Sequence, residues 1–143
     1  MAERTWRRIT VTFLRDPSLP EITYQRVMSL RKTASYAWTN KDAMLYALGI
    51  GLGQDPLNRN ELAFVYEAGL STFPTFPVVV GFHGGAMEDI GIDYRYVLHG
   101  EQAISLHRPF PAEGQASAES RMIGAWDKSA GKGAVFSQET VMT

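Results

Sequence analysis

A histidine and a glutamate, separated by one glycine, lie in the stretch of this sequence that is most typical of a β-strand. The stretch covers residues 94 to 108 and reads Y-R-Y-V-L-H-G-E-Q-A-I-S-L-H-R. Because alternate side chains of a strand point to opposite faces, His99 and Glu101 are predicted to share one face. Such a pair could transfer a proton or bind one ligand, or it could be a buried, hydrogen-bonded structural pair. Gly100 between them is typical of a bulge or of a close approach by another group.

Other kinds of chemical site have no matching pattern in the sequence. The chain has no cysteine, which excludes disulfides, thiolate metal sites and a cysteine nucleophile. His99 and Glu101 supply only two metal ligands and no motif places a third, so we predict no metal site. No serine or threonine lies in a G-x-S-x-G elbow. His83 and His107 stand alone, and we assign them to the surface or the core.

A glycine-rich run, G-I-G-L-G at residues 49 to 53, could be taken for a phosphate-binding loop. A phosphate loop joins a strand to a helix, whereas this run follows a predicted helix. We therefore interpret it as a helix stop followed by a tight turn, because glycine in the left-handed region commonly ends a helix.

Composition limits the class of protein. A chain of 143 residues with a formal net charge of −1 predicts one domain and gives no indication of nucleic acid or an anionic membrane as its partner. No apolar run approaches the roughly 18 residues of a membrane span. The basic N-terminus lacks the apolar centre of a signal peptide, and the final V-M-T is not a peroxisomal S-K-L signal. We expect a soluble, intracellular protein.

The elements that must position these residues are predicted from periodicity and from turn residues. Residues 1 to 35 are interpreted as a leader or linker, in which Arg8 to Leu14 could form a short strand and Glu21 to Arg31 a short helix. Thr39 to Leu48 is predicted to be a helix, with Thr39 as its N-cap and Asp42 completing a weak capping box.

The second half of the chain predicts mainly strands. Besides the stretch at 94 to 108, alternation predicts strands at Glu61 to Glu67, Gly114 to Ala125 and Ala134 to Met142. The last two are joined by D-K-S-A-G-K-G and form a predicted hairpin. A helix is predicted to start near Pro74 or Pro77 and run toward Phe82, although its three consecutive valines also allow a strand. Together these elements predict an α+β domain.

Six phrases in the sequence, taken in order, resemble one family. The family is the N-terminal hot-dog domain of the MaoC-like, R-specific 2-enoyl-CoA hydratases, also called hydratase 2. The phrases are Y-A-W-T-N-K-D-A-M-L-Y-A-L-G-I-G (36 to 51), E-L-A-F-V-Y-E (61 to 67), F-P-T-F-P-V-V (73 to 79), V-L-H-G-E-Q (97 to 102), H-R-P-F-P-A-E-G (107 to 114) and D-K-S-A-G-K-G-A-V (127 to 135). The resemblance implies one hot-dog domain over residues 36 to 143. In that fold a curved antiparallel sheet wraps a central helix, here the segment at Pro74 or Pro77.

The resemblance also implies that two hot-dog domains have different roles in one active unit. In the family the C-terminal hot dog carries a D-x-N-x-x-H motif that activates water, and the N-terminal one shapes the acyl-chain pocket. This sequence has no such motif. The nearest stretch contains Asp55 and Asn58 but no histidine, so we predict no catalytic residue in this chain. The family's domain continues beyond the position of Thr143, so we expect either a fragment or a subunit that is completed by a partner.

The substrate-binding residues implied by the resemblance are Tyr46, Glu67, His99, Gly100 and Glu101. Glu67 and Glu101 would orient partner groups, although Glu67 could also be a solvated strand-end carboxylate and Tyr46 a core aromatic. The substrate implied is an acyl-CoA thioester of fatty acid β-oxidation or of a sterol side chain, with no further cofactor.

The partner implied by the resemblance is another hot-dog domain, in a homodimer or a heterodimer. The compartment would be the cytoplasm in a bacterium or the peroxisome in a eukaryote. The alternative function is a non-catalytic acyl-CoA-binding or scaffold module of a hot-dog assembly. A hot-dog thioesterase would share the fold but not these phrases.

Overall fold

The computed structural model describes residues 21–83, 85–129 and 131–143, and it combines helices with one sheet. In chain order the elements are α1 (Tyr24–Ser29), β1 (Arg31–Trp38), α2 (Asn40–Gly49), α3 (Arg59–Val65), α4 (Phe76–Val80), two 3₁₀ turns (Ala86–Ile90 and Tyr94–Tyr96), β2 (Gly114–Asp127) and β3 (Ala134–Met142). None of the helices in these ranges has the length and apolarity needed to cross a bilayer. The predicted α+β class is confirmed.

The three strands form one antiparallel sheet in the order β1-β2-β3. Ser117 and Thr143 exchange both of their backbone hydrogen bonds, at N···O distances of 3.1 and 2.9 Å. Lys128 donates its N–H to the carbonyl of Gly133 and closes the connecting turn. The predicted hairpin is therefore confirmed: β3 has its predicted bounds, and β2 runs two residues further than predicted, to Asp127.

The chain divides into two compact units, and the first contains residues 21–34, 85–98 and 119–141 apart from residue 130. Its core consists of the buried side chains of Val27, Ala86, Ile90, Met122 and Ala125. Thr23 caps α1 by accepting a hydrogen bond from the N–H of Arg26. The Arg26 guanidinium donates to the carbonyls of Asp89 and Ile90, so it holds the end of the first 3₁₀ turn.

The second unit contains Ser35–His83, His99–Ala118 and Met142–Thr143. Its core consists of Trp38, Ala43 and Phe76. Helix α2 begins with the predicted capping box, in which Thr39 and Asp42 each accept a hydrogen bond from the other's backbone N–H.

The glycine-rich run after α2 is a helix stop, as predicted. The helix ends at Gly49, and Gly51 and Gly53 have φ angles of +96° and +81°, which L side chains rarely adopt. The space at Gly53 is also closed, because a Cβ there would lie 2.9 Å from Val65 Cγ2.

The predicted strand at residues 94 to 108 is wrong. Tyr94–Tyr96 forms a 3₁₀ turn, because Asp93 accepts a hydrogen bond from the N–H of Arg95 and also pairs with its guanidinium. The following residues, His99 to Arg108, lie outside any helix or strand, and every one of them is exposed. We refer to them as the 99–108 segment. Alternation made these residues compatible with a strand, but a strand also needs a neighbouring chain with which to pair.

The predicted strand at Glu61 to Glu67 is also wrong, since α3 occupies most of it. Asn58 caps this helix by accepting a hydrogen bond from the N–H of Asn60. Glu61 lies in the first turn, where a carboxylate is favoured by the helix dipole. These local signals outweigh a seven-residue alternation.

Four further expectations have different outcomes. The helix predicted near Pro77 is confirmed as α4, with proline in its first turn, so its valines do not form a strand. The helix predicted over Glu21 to Arg31 is confirmed in its middle as α1, but the pattern missed β1, which follows at once. The strand considered for Arg8 to Leu14 lies outside the described residues. That residues 1 to 35 act as a leader or linker stays a prediction.

Candidate functional site

Four aromatic rings from different parts of the second unit pack together. Trp38, at the end of β1, stacks on Phe110 with ring centroids 4.5 Å apart. Phe110 meets Phe76 edge-on at 5.9 Å, and Phe76 contacts Tyr46 of α2 at 5.6 Å. Such tilted and stacked pairs are favourable beyond the apolar area they bury. They form an aromatic wall in this unit, in which Trp38 and Phe76 are buried.

Two hydrogen bonds fix the backbone beside this wall. Thr72 donates its hydroxyl to the carbonyl of Phe110, and the indole Nε1 of Trp38 donates to the carbonyl of Pro111 at 2.9 Å. We call Trp38, Thr72, Phe110 and Pro111 the Phe110 clamp. The clamp holds the chain immediately after the 99–108 segment. No sequence pattern identified it, because its members are distant in the chain and unremarkable in type.

Tyr46, a predicted substrate-binding residue, lies at the edge of the aromatic wall. Its side chain is half-buried, and its hydroxyl is 2.6 Å from the Thr75 hydroxyl. Its ring packs against Phe76. Tyr46 thus presents an apolar ring with one polar atom, a combination that suits either a core position or a pocket wall.

His99, Gly100 and Glu101 lie at the start of the 99–108 segment and are exposed. A Cβ placed on Gly100 would meet no heavy atom within 4 Å, so no group of the described chain approaches it closely. The reading of His99 and Glu101 as a buried structural pair is therefore wrong. Both side chains are accessible to a ligand or to another domain.

Glu67 follows the end of α3 and is exposed as well. Within the described residues, no hydrogen bond or ion pair joins Glu67, His99 and Glu101 to one another. The chain by itself therefore supplies separate polar groups at its surface, without the mutual contacts of a completed catalytic site.

The residues nearest to a D-x-N-x-x-H pattern are used in local structure. Asp55 accepts a hydrogen bond from the N–H of Leu57 at 2.9 Å, and Asn58 caps α3. Glu61, which no sequence motif identified as a functional residue, accepts from the N–H of Gly53 at 2.9 Å and from the side chain of Asn58 at 2.8 Å. This carboxylate fixes the glycine-rich turn to the start of α3.

Charged groups of the first unit form their own network. Lys32 Nζ lies 3.0 Å from a Glu88 carboxylate oxygen and 3.3 Å from one of Asp89. The hydrogen bond to Glu88 raises the pKa of Lys32 above its usual value. Burial raises the pKa of Tyr94, and hydrogen bonds from Arg95 lower that of Asp93.

Two features bear on what else could bind. In the described ranges, no three histidine, aspartate or glutamate side chains come together in a way that could hold a metal ion. A shallow depression of about 410 Å³ lies in the second unit along β1, β2 and Thr143. Its lining is polar and apolar in about equal parts and includes none of the predicted substrate-binding residues.

Comparison with known proteins gives a family and a fold. The family described as the MFE-2 hydratase 2 N-terminal domain matches residues 36–143, the same range that carried the resemblance. A solved MaoC-like dehydratase from Phytophthora capsici has a TM-score of 0.66 and 25% sequence identity, over 85% of this chain and 43% of that one. The hot-dog fold is thereby confirmed.

Two curated proteins illustrate the sequence relationship. Enoyl-CoA hydratase ChsH3 of Mycobacterium tuberculosis is 35% identical over 119 residues, which are 76% of this chain and 39% of that protein. Peroxisomal multifunctional enzyme type 2 of Mus musculus is 35% identical over 105 residues, 68% of this chain and 14% of that protein. The chain thus spans well under half the length of each.

Proposed function

Because this chain belongs to the family of hydratase 2 N-terminal domains, we propose that it is the substrate-binding half of an R-specific enoyl-CoA hydratase, or 3-hydroxyacyl-CoA dehydratase. The observation that carries the proposal is the family match over residues 36–143 in a sequence without a D-x-N-x-x-H motif. A second hot-dog domain with that motif would supply the aspartate and histidine. The relatives named as enoyl-CoA hydratases support the reaction class.

The reaction adds water across the double bond of a trans-2-enoyl thioester. It needs a base for the water, an acid for the α-carbon and donors for the thioester oxygen as that oxygen gains charge. It also needs an apolar surface for the acyl chain. The half-buried rings of Tyr46 and Phe110 would offer such a surface. They pack against the buried rings of Trp38 and Phe76, and this ordering in advance lowers the cost of binding.

The polar candidates have supporting roles in this proposal. Glu67 and Glu101 orient groups of the partner domain, and His99 lies beside the thioester. Gly100, which has no side chain, leaves room for the substrate. Their exposure supports this assignment, because a group buried in this chain could not reach a partner or its substrate.

A second candidate function is a non-catalytic acyl-CoA-binding or scaffold module that stabilises a catalytic hot dog. The observation that favours it is that no hydrogen bond or ion pair joins Glu67, His99 and Glu101 to one another in the part of the chain that the structure describes. In this case the aromatic wall would bind the acyl chain, and the three polar side chains would have no part in turnover.

The first experiment measures hydration of a medium-chain trans-2-enoyl-CoA by the purified chain, alone and with a D-x-N-x-x-H hot-dog domain added. Activity only in the mixture is the expected result. Activity of the chain alone would overturn the proposed division of labour. If neither sample is active while the chain still binds the acyl-CoA, the scaffold function is supported instead.

A second experiment separates the two candidates in the active mixture. Replacing Glu67 and Glu101 together by glutamine should reduce kcat by about 10²-fold or more if they orient partner groups during proton transfer. The matched control is Glu113→Gln, which changes another exposed glutamate of the same unit. Unchanged turnover in the double variant would favour the scaffold.

The cellular setting belongs to the same proposal. An acyl-CoA hydratase would act in fatty acid β-oxidation, or on a sterol side chain. It would lie in the cytoplasm of a bacterium or in the peroxisome of a eukaryote. The mouse relative is named as a peroxisomal enzyme, which supports the second setting.

A further inference from the structure

The β2 side of the hairpin contains one residue more than the β3 side. Ser117 is bonded through its backbone to Thr143, and near the turn Lys128 is bonded to Gly133. Eleven positions separate these two pairs along the β2 side, whereas ten separate them along the β3 side. The extra residue is a β-bulge, a feature that bends a strand and changes the direction in which a side chain points.

The bulge lies between Met122 and Ala125 and turns Trp126 outward. Just before it, Arg121 still faces Glu139 in the first register. Met122 and Ala125 are three positions apart, yet both are buried in the core of the first unit. In a regular strand Trp126 would lie on the same buried face as Met122. With the bulge, Ala125 takes that face, and Trp126 lies on the other face and is 47% exposed.

The outer edge of the Trp126 indole lies over the backbone at Gly124. A Cβ placed on Gly124 would be 2.0 Å from Cη2 of that ring, 2.5 Å from Cζ3 and 2.7 Å from Cζ2. Any side chain at this position would therefore displace the indole. The strand supports the ring on one side, while nearly half of the residue stays open to solvent.

Two lysines follow Trp126 in the turn between the strands. Lys128 and Lys132 are both exposed, and neither ammonium group has a hydrogen bond or an ion pair with any residue of the described ranges. The adjacent carboxylate, Asp127, accepts a hydrogen bond from the N–H of Ser129 and so serves to hold the turn. The end of the hairpin is thus positively charged, although the whole chain has a formal net charge of −1.

An exposed aromatic ring beside two unpaired cations matches the chemistry of a nucleotide. A base stacks on an aromatic side chain, and phosphate oxygens form strong hydrogen bonds with ammonium groups. Ile123 and Val135 are exposed near Trp126 and extend the apolar surface. An aliphatic ligand would not use the charges, and a free phosphate would not use the ring.

We propose that Trp126, Lys128 and Lys132 bind a purine nucleotide, whose base stacks on the indole and whose phosphates contact the two ammonium groups. Gly124 is a positioning residue, because it leaves the space in which the indole lies. A free nucleoside diphosphate and the nucleotide part of coenzyme A share this chemistry. The site contains none of the residues assigned above to the substrate, and the inference does not depend on the proposed function.

The main experiment follows the indole N–H signals of the full chain by proton–nitrogen NMR as ADP is added. The chain has three tryptophans, and Trp126→Phe identifies the signal of Trp126 by its loss. We expect this signal to move until the site is saturated. The signal of Trp38, whose Nε1 donates to the Pro111 carbonyl, should stay in place. A Trp126 signal that does not move at about 10 mM ADP, where even a millimolar site is occupied, would overturn the proposal.

Comparing probes separates the two halves of the ligand and its two sources. Adenosine lacks the phosphates and inorganic pyrophosphate lacks the base, so each should bind about tenfold more weakly than ADP or worse. Pyrophosphate that binds as tightly as ADP would overturn the stacking and with it the proposal. Coenzyme A represents the second source, and the tighter of coenzyme A and ADP identifies which source the site prefers. Binding to anionic phospholipid vesicles without any response to either nucleotide would assign the surface to a membrane and overturn the proposal.

The ring is tested by Trp126→Ala, with the ADP dissociation constant measured by titration calorimetry. We expect it to rise roughly 5- to 150-fold, the range for the loss of one stacked base. The matched control is Val141→Ala, which changes another exposed apolar residue on the outward side of the hairpin and should leave the constant unchanged. Equal constants in the wild type and Trp126→Ala would contradict the proposal.

The charges are tested by Lys128→Gln combined with Lys132→Gln. The ADP dissociation constant should rise roughly two- to thirty-fold, because two exposed ion pairs are lost, whereas weak adenosine binding should not change. Lys41→Gln, in α2, changes another exposed lysine and is the control. An unchanged ADP constant in the double variant would remove the phosphates from the site and overturn the proposal.

Gly124→Ala tests the support of the ring. The added Cβ should displace the indole, so the Trp126 signal should move before any ADP is added, and ADP should bind about as weakly as to Trp126→Ala. Urea denaturation shows whether the variant is folded, and the Trp126→Ala result stands if it is not. A displaced Trp126 signal with normal ADP affinity would overturn the positioning role of Gly124.

Discussion

The β2–β3 hairpin and the 99–108 segment have similar alternating sequences and different structures. In the hairpin, a short turn brings β3 back beside β2, and the inward side chains are buried; Met122 is 1% exposed. In the segment no such turn exists, and its apolar residue Ile104 is 41% exposed. The two regions differ in whether the chain supplies a neighbouring strand, and not in how regularly their side chains alternate.

Alternation determines which residues can share a face, whereas pairing with a neighbouring strand decides whether that face forms at all. A strand gains its backbone hydrogen bonds only from a neighbour. The hairpin has its neighbour seven residues away in sequence, which costs little loop-closure entropy. The segment must find its neighbour elsewhere, and in the described chain it has none.

The strongest test of this comparison replaces one apolar residue in each region. Met122→Ala removes a fully buried side chain from the first unit's core and should lower the free energy of unfolding by about 2 to 5 kcal/mol. Leu106→Ala, in the exposed segment, should change it by less than about 0.5 kcal/mol. Urea denaturation of both variants measures the contrast. Comparable losses would mean that the segment is packed in solution.

The next test concerns the polar contacts on the hairpin's inward side. Ser120 is buried and lies 2.9 Å from the hydroxyl of Thr140, which also accepts from Gln138. Thr140→Val removes that oxygen and should cost about 1 to 3 kcal/mol, because buried polar groups lose their partner. Thr143→Val, at the exposed end of the chain, is the matched control. Equal midpoints in denaturant would show that the contact contributes nothing.

Helix α2 resembles the hairpin in that residues close together in the sequence determine where it begins. Thr39→Ala removes the capping hydroxyl and should cost about 0.5 to 2 kcal/mol. Hydrogen bonds from the Thr39 hydroxyl and then its backbone N–H lower the pKa of Asp42 below the usual 3.8.

That lowered pKa gives the pH dependence of the cap. A carboxyl whose folded pKa is depressed stabilises the fold above its unfolded value, and the contribution is lost as pH falls through the folded value. The difference in stability between the wild type and Asp42→Ala should therefore be present at pH 7 and shrink below about pH 3.8. A gap that stays constant down to pH 2 would exclude the carboxylate's charge as its source.

The smallest expected effect lies on the hairpin's outward side. Arg121 and Glu139 face each other across the two strands at 2.7 Å, with both side chains largely exposed. Arg121→Ala should cost about 0.2 to 1 kcal/mol, and 1 M salt should remove most of that. His107→Ala in the segment should cost nothing in the monomer. A salt-independent loss at Arg121 would indicate packing of its stem instead of charge.

Sequence reasoning predicted best where the deciding residues are close together. The capping box of α2, the glycine stop after it and the hairpin turn each rest on a few adjacent side chains. The strand prediction for residues 94 to 108 was wrong because the alternation of these residues does not show whether a neighbouring strand exists. The strand at 61 to 67 failed because Asn58 and Glu61 outweighed a short alternation.

The candidate site was predictable only in part, for a similar reason. The resemblance identified Tyr46, Glu67, His99, Gly100 and Glu101 by type, and their roles stay predictions. It gave no sign of the Phe110 clamp, whose residues 38, 72, 110 and 111 meet only after folding. Strand β1 was missed as well, because its inward residues alternate between charged, small and aromatic types.

The exposed 99–108 segment is also a place where the chain should tolerate an insertion. Foreign peptide is best tolerated where the backbone is exposed and takes no part in a ladder, and the join between Gln102 and Ala103 is such a point. The bond across it is a local one, from the Gln102 side chain to the Ala103 carbonyl. A reporter or an affinity tag inserted there would leave the Phe110 clamp and both cores in place. The same insertion would interrupt any pairing of the segment with another chain. Its effect on association could therefore be measured separately from its effect on folding.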